Sequence, residues 1–199
     1  MVNSLDGAYG LILGPEQMIY ISTWDDVHRL DPESGDIELL VPSGAALAGG
    51  GTVDMSYKVI DFSPDFSRLY IGTLDESKKS GTLFVQNFDA DMNLDGDLEV
   101  FATGVGTVMH DAIGVDACGN VYALENWTET LYRVSPSGEV TAMKKFDTSA
   151  HGFGHGIAWG SGIGEWKKHS IYLAMPYSLE SVVLEVGIGV PSRDETRTR

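Results

Sequence analysis

The sequence predicts an all-β fold, a β-propeller with about four antiparallel blades. A short apolar phrase with a central tyrosine recurs about every fifty residues along the 199-residue chain. Each copy consists of short apolar runs separated by Gly, Pro, Asp and Ser, and stretches with helical periodicity are lacking. Such repeats are typical of propellers, in which every repeat is a small sheet that packs on its neighbours. The four tyrosines are Tyr20, Tyr70, Tyr122 and Tyr172.

Each copy begins with an inner strand, marked by a pair of apolar residues at alternate positions. The tyrosine phrase forms the second strand. Copies one and three share a third strand and a turn that contains Pro and Gly, at 29–35 and 133–138, and a fourth strand follows each turn. The apolar pairs of the inner strands are Leu11 and Leu13, Ile60 and Phe62, Ile113 and Val115, and Ile157 and Trp159.

Two copies carry insertions between strands. Copy two extends its third hairpin into an acidic loop at 88–97, and copy four extends its first hairpin at 160–170. Hairpin loops accept extra residues, whereas a strand would lose its pairing register. We expect blades at about 8–45, 56–104, 109–146 and 154–190, followed by a tail at 191–199.

The fourth copy supplies only three strands, because a segment rich in Gly, Pro and charge follows its third. Three arrangements remain open. The chain is a piece of a longer propeller, a small propeller closed by residues 1–7, or an open set of blades that pairs with another copy. In the open arrangement an unpaired edge strand is a template for self-association, which predicts a homo-oligomer.

The charge is strongly negative, with 13 Lys and Arg against 29 Asp and Glu and a net charge of -16. This field repels nucleic acid and anionic lipid, and it favours cations and basic partners. It also has a plain interpretation, which is solubility. No apolar run approaches the roughly 20 residues of a membrane helix, so we expect no membrane span. Because the negative charge repels phosphate groups, we also expect no nucleic-acid partner.

Cys118 is the only cysteine, which excludes an internal disulfide, and it lies in a predicted hairpin turn. No secretion signal follows Met1. The chain is therefore cytoplasmic or has lost a leader. The acidic surface and the incomplete fourth blade favour a module of an extracellular assembly, and we expect a secreted, periplasmic or cell-surface location.

The acidic loop of copy two reads D-x-N-x-D-G-x-x-E, a pattern that lets a tight turn fold oxygen ligands around Ca²⁺. It resembles the calcium loops of integrin-type propellers more than an EF-hand, because Ala102 stands where an EF-hand has its last glutamate. The alternative is a solvated acidic turn, which favours the same residue types. The predicted calcium ligands are Asp91, Asn93, Asp95, Asp97 and Glu99.

A second candidate site follows from superposing the repeats. The residue two positions before each inner apolar pair is polar, and equivalent positions of a propeller converge at one mouth of its channel. This predicts a channel site for a small polar ligand or a cation, with His110, Tyr57 and His151 as neighbours. The alternative is that strand ends tolerate polar residues because they are exposed. The four converging residues are Tyr9, Lys58, Asp111 and His155.

Three stretches give a family resemblance: HDAIGVDACGNVY at 110–122, LYRVSPSG at 131–138, and SPD before LYI at 63–71. They resemble blades of the SMP-30/gluconolactonase-like propellers and the related NHL-type repeats. The resemblance implies a channel metal held by a Glu from the first blade, an Asn from a middle blade and an Asp from the next. Asp111 matches that Asp, but Lys58 occupies the Asn position and Ala8-Tyr9-Gly10 offers no Glu.

With two of three metal ligands replaced, we expect a non-catalytic propeller that binds a protein or a small polar ligand. The alternative is a metal-dependent lactone hydrolase, in which Asp111 and His155 would be the catalytic residues. A third possibility is a structural module that self-associates. The lysine at a ligand position repels a metal cation and can pair with Asp111 instead.

Overall fold

The computed structural model describes residues 5–74, 81–147, 153–177 and 181–196. This part of the chain is all-β, with four small antiparallel sheets arranged as a four-bladed propeller. Its helix is limited to two short 3-10 turns, Pro15–Gln17 and Arg193–Thr196. The predicted fold class is confirmed. Neither of these turns has the length or the apolar character of a membrane-crossing helix.

Strand order follows the chain in every sheet, and the first strand of each sheet lies at the central channel. The first sheet consists of β1 (Gly10–Leu13), β2 (Ile19–Ser22), β3 (Val27–Leu30) and β4 (Ile37–Val41). The second consists of β5 (Ser56–Phe62), β6 (Arg68–Leu74), β7 (Thr82–Asn87) and β8 (Glu99–Thr103). The third consists of β9 (His110–Val115), β10 (Val121–Glu125), β11 (Thr130–Val134) and β12 (Val140–Lys145). The fourth consists of β13 (Gly156–Trp159), β14 (Ser170–Met175) and β15 (Val182–Gly187).

The four repeated tyrosines occupy equivalent places, each on the second strand of its sheet and opposite the residue between the two inner apolar side chains. Tyr20 pairs with Ile12, and Tyr122 pairs with Gly114. Tyr70 and Tyr172 have the same register relative to their own inner strands. The period seen in the sequence is thus the period of the sheets.

Two of these tyrosines also form ring contacts between successive sheets. The Tyr20 ring packs on Phe62 of the next inner strand, with centroids 4.8 Å apart at 89°. Tyr122 packs in the same way on Trp159, at 5.8 Å and 78°. Edge-to-face pairs of this kind contribute about 0.5–1.5 kcal/mol beyond the area that they bury. In these two copies the repeated tyrosine therefore contributes to the packing between blades as well as to its own strand.

One mouth of the channel, where the inner strands end, is crossed by residues 188–196, which we call the clasp. The Val190 carbonyl accepts a hydrogen bond from the indole N–H of Trp159 (3.1 Å), and the Pro191 carbonyl accepts one from the Ala117 N–H (3.0 Å). Arg193 Nε lies 2.7 Å from Asp61 Oδ1. The clasp, which includes the first residues of the predicted tail, therefore contacts the fourth, third and second sheets at this lower mouth.

Candidate functional site

Asp111 lies at the upper mouth, where the inner strands begin, and is 2% exposed. Its Oδ1 accepts a hydrogen bond from the Tyr9 hydroxyl (2.8 Å) and lies 3.6 Å from the Nζ of Lys58. Its Oδ2 accepts a hydrogen bond from the side-chain amide of Asn126 (2.6 Å) and lies 3.2 Å from the Nδ1 of His155. Four side chains from different parts of the chain therefore engage both oxygens of one buried carboxylate.

Lys58 is the cation of this cluster, and its side chain is 3% exposed. Its Nζ lies 3.7 Å from the centre of the Tyr9 ring and 4.4 Å from that of Trp24, close enough for cation–π attraction. Burial lowers the pKa of Lys58, and the nearby Asp111 opposes that shift. Burial and the hydrogen bond to Asp111 raise the pKa of Tyr9, so its hydroxyl stays protonated.

The structure brings together the four residues that the repeat alignment selected. Tyr9, Lys58, Asp111 and His155 all lie at or near the start of an inner strand, and each lines one cavity of about 710 Å³. A volume in this range accommodates a small ligand. Their proximity is a structural fact, and their role in binding stays a prediction.

Three further residues of the site come from the ends of second strands, which the sequence reasoning did not align. Asn126 follows β10, Trp24 follows β2 and Tyr177 follows β14. An antiparallel second strand ends at the edge where the inner strand begins, so these positions reach the upper mouth as well. Asn126 belongs to the sequence Asn-Trp-Thr, a glycosylation signal, but its side chain is buried against Asp111.

The cavity is polar at its centre and apolar at its base. Tyr9 (36% exposed), Trp24 (43%) and Tyr177 (67%) present rings to solvent around Asp111, and the His155 side chain is 29% exposed. Four isoleucines, one from each inner strand, line both this cavity and a second one of about 410 Å³ at the lower mouth. They are Ile12, Ile60, Ile113 and Ile157.

His110 and Tyr57, predicted as neighbours of the site, are not brought into it. His110 is fully buried, and its Nδ1 accepts a hydrogen bond from the Thr73 N–H (3.1 Å) while its Nε2 donates to the Val105 carbonyl (2.7 Å). Burial lowers the pKa of His110. The Tyr57 hydroxyl donates to the Pro42 carbonyl (3.2 Å). His151 lies outside the described residues.

Two buried glutamates support the segments that carry the site. Glu125 accepts hydrogen bonds from the N–H and the hydroxyl of Thr128 and from the 107–109 turn. Burial alone would raise the pKa of Glu125, but these hydrogen bonds outweigh it and lower the pKa. Glu129 accepts the Gly154 N–H (3.1 Å), next to His155, and burial raises its pKa to about 7. Glu129 thus fixes the start of the fourth inner strand beside Asp111.

A divalent metal at the upper mouth, which the family resemblance implies, does not fit the residues present. Both Asp111 oxygens are already engaged, and the ammonium group of Lys58 would repel a cation bound to Oδ1. Among the described residues, no group of three or more His, Cys, Asp and Glu side chains is placed to hold a metal ion.

The acidic loop forms an exposed turn between β7 and β8. Asp89 Oδ1 accepts hydrogen bonds from the N–H groups of Asp91 and Asn93, both at 2.9 Å. Glu99 accepts one from the Asn87 side-chain amide (2.8 Å). The Asn93 side-chain amide also donates to Asp89 Oδ2 (3.2 Å), so the side chains of two predicted ligands, Asn93 and Glu99, have partners within the hairpin. Calcium binding by Asp91, Asn93, Asp95, Asp97 and Glu99 stays a prediction.

Comparison with known proteins supports the fold. No protein-family profile matches the sequence, and no curated protein matches it. A gluconolactonase from Xanthomonas campestris resembles the chain with a TM-score of 0.67 and 13% identity, over 96% of this chain and 61% of that protein. The PQQ-bound aldose sugar dehydrogenase of Streptomyces coelicolor gives 0.63 and 17%, over 96% and 62%. An auxiliary nutrient binding protein from Bacteroides thetaiotaomicron gives 0.57 and 12%, over 83% and 44%.

The chain therefore spans less than two thirds of the length of each of these proteins. At such identities the likeness shows the β-propeller fold. It supports the gluconolactonase-like resemblance at the level of fold, and it includes both enzymes and a binding protein.

Proposed function

We propose that this chain is a non-catalytic binding propeller that takes a small polar ligand at its upper mouth. The observation that carries the proposal is that both carboxylate oxygens of Asp111 already have partners. These partners are Tyr9, Lys58, Asn126 and His155. A carboxylate in this state neither abstracts a proton nor holds a metal without breaking its own network. It instead holds rings and polar groups in fixed positions, which is what a binding site requires.

The ligand would contact the groups that remain accessible around Asp111. The exposed rings of Tyr9, Trp24 and Tyr177 offer flat apolar faces, and the His155 imidazole offers a hydrogen-bonding group. The paired charges of Lys58 and Asp111 make the centre of the site close to neutral, although the chain as a whole is strongly acidic. We therefore propose a small, mostly uncharged polar molecule with one face that stacks on an aromatic ring.

The test is a thermal-shift screen with a panel of small polyols, carboxylic acids and amines, followed by calorimetry on every compound that raises Tm. We expect His155→Ala and Trp24→Ala to abolish the response. His169→Ala, an exposed histidine of the 160–170 loop, is the matched control and should respond like the parent chain. A compound that binds with the same affinity to all three variants would place its site elsewhere and contradict the proposal.

The second candidate is a metal-dependent lactone hydrolase, favoured by the likeness to the gluconolactonase. Its test is hydrolysis of gluconolactone with added Ca²⁺, Zn²⁺ or Mn²⁺. This activity, lost in Asp111→Ala, would establish an enzyme and overturn the binding proposal. A parent chain that hydrolyses the lactone no faster than buffer with each of the three metals would rule the hydrolase out.

A further inference from the structure

Lys58 differs from the other lysines that the structure describes, because it lies inside the molecule and borders a cavity. Its side chain is 3% exposed, and it lines the cavity of about 710 Å³ at the upper mouth. Lys144, Lys145, Lys167 and Lys168 are exposed. A desolvated lysine beside a cavity of ligand size is the form in which proteins use the amine as a nucleophile.

Two matching irregularities in the sheets direct Lys58 and Asp111 into the channel. In β5 the pairing register shifts between Tyr57 and Val59, which leaves Lys58 as the extra residue of the strand. The register of β9 shifts in the same way, and Asp111 is its extra residue. The Ser22 hydroxyl donates to the Lys58 carbonyl (2.7 Å) and holds the irregular backbone in place. Because such bulges re-aim side chains and are common beside active sites, the backbone itself brings this amine and this carboxylate together.

The surroundings of the Lys58 amine allow it to react as well as to pair. Its Nζ faces the rings of Tyr9 and Trp24, at 3.7 Å and 4.4 Å from their centres. Burial in this place favours the neutral amine and lowers the pKa of Lys58, although Asp111 opposes the shift. At 3.6 Å the contact with Asp111 Oδ1 is an ion pair rather than a short hydrogen bond, so it does not lock the amine in one orientation.

We propose that Lys58 captures a small aldehyde or ketone as a protonated imine in the upper cavity. The amine nitrogen attacks the carbonyl carbon, a C–N bond forms, and the C–O bond breaks. In sum, the ammonium group and the carbonyl compound give an iminium ion and one water, which takes its oxygen from the carbonyl and two hydrogens from the amine. The iminium ion carries the same single positive charge as the ammonium group. Asp111 therefore remains its counter-ion and keeps the hydrogen bonds from Tyr9 and Asn126.

This inference rests on the proposed function in one respect, which is that a small polar ligand enters the upper cavity. It adds the chemical class of the ligand, a carbonyl compound, and the covalent bond that holds it. The exposed rings of Trp24 and Tyr177 would stack on a flat ligand beside the amine. Because the Trp24 ring also covers Nζ, it must move aside as the ligand reaches the amine.

The test treats the full chain with salicylaldehyde and sodium cyanoborohydride, which reduces an imine to a stable secondary amine. Peptide mass spectrometry then locates and quantifies the label. We expect Lys58 to be labelled at least about tenfold faster than any exposed lysine, because desolvation activates its amine. The labelling rate at Lys58 should level off at high aldehyde concentration as the cavity fills. Salicyl alcohol, which has the same ring and no carbonyl group, should slow the labelling of Lys58 and leave Lys144 unaffected.

Lys58→Arg keeps a positive charge beside Asp111 but cannot form an imine, so it should lose the fast label. Lys144→Arg, at an exposed position, is the matched control and should keep it. Label confined to exposed lysines, or a Lys58 label no faster than theirs, would overturn the inference, and this readout on the parent chain does not depend on the folding of a variant. The proposed function fails separately, if no compound of the thermal-shift screen loses its effect in His155→Ala while Lys58 is still labelled. A screened compound that loses its effect in His155→Ala, in a chain whose Lys58 stays unlabelled, would overturn the imine alone.

Discussion

The ammonium group of Lys58 and the carboxylate of Asp111 form an ion pair 3.6 Å apart, in a place where both side chains are almost completely buried. Each charge is costly to bury alone, and each stabilises the charged form of the other. The pair receives further support from the Tyr9 ring, which faces the ammonium group and whose hydroxyl donates to the carboxylate. Lys58 thereby supplies positive charge beside Asp111, where the resemblance to the SMP-30/gluconolactonase-like propellers implies a metal.

Replacing Lys58 by Met should lower the free energy of unfolding by about 3–5 kcal/mol, because the buried Asp111 charge loses its counter-ion. Urea denaturation measures this change. Lys144→Met, at an exposed position on β12, is the matched control and should stay within about 0.5 kcal/mol of the parent chain.

The double variant Lys58→Met with Asp111→Asn tests whether the loss comes from the unpaired charge. The Asp111→Asn substitution removes the negative charge, so the double variant should be more stable than the sum of the two single losses predicts, by at least about 1 kcal/mol. Additive losses would mean that Lys58 acts through packing alone.

Glu129 should make stability fall as the pH rises toward neutral. Its pKa is raised by burial from the ordinary 4.5 to about 7, so the folded chain keeps a proton that the unfolded chain has already lost. Between these values stability decreases with rising pH, by up to about 1.4 kcal/mol per unit. Glu129→Gln should flatten the profile above pH 6, and Glu139→Gln, at a turn between β11 and β12, should not. Asp61, with a pKa raised to about 6, leaves a slope below that pH in both variants.

The clasp should open when its ion pair is broken. Arg193 Nε lies 2.7 Å from Asp61 Oδ1, and Asp61 Oδ2 accepts the Val115 N–H (2.8 Å), so the carboxylate ties the clasp to two sheets. We expect Arg193→Met to cost about 3–5 kcal/mol, because it leaves a buried charge unpaired. Limited proteolysis with mass spectrometry should detect faster cleavage after residue 188. Arg133→Met, at an exposed position on β11, is the control, and equal cleavage in both variants would contradict a clasping role.

Much of the fold could be predicted because its determinants are local and periodic. The tyrosine phrase and the alternating pair of the inner strand repeat in every copy. They predicted the sheets, the three strands of the fourth sheet and the convergence of Tyr9, Lys58, Asp111 and His155.

The remaining parts of the site depend on irregular pairing that a sequence does not display. A register shift between Leu124 and Glu125 sets Glu125 opposite His110, and His110 enters the core while Asp111 faces the channel. Asn126 was missed because its neighbours resemble a glycosylation signal and because only the starts of inner strands were aligned. Its hydrogen bond to Asp111 arises from strand ends that are adjacent in space and fifteen residues apart in the chain.

The calcium prediction for the acidic loop is the one most directly tested by stability. If Asp91, Asn93, Asp95 and Glu99 share one cation, Glu99 must give up its bond from Asn87 and the Asn93 amide must turn away from Asp89. Calcium at about 100 times its Kd would add about 2.7 kcal/mol to the stability of the folded chain and raise Tm by several degrees.

We expect a chelator to lower Tm and Asp95→Ala to abolish the response to calcium. Asp36→Ala, in the equivalent turn of the first sheet, should respond like the parent chain, and Mg²⁺ should substitute poorly because it prefers a rigid octahedral shell. If Tm is unaffected by calcium and chelator in the millimolar range, the loop is a solvated acidic turn held by Asp89.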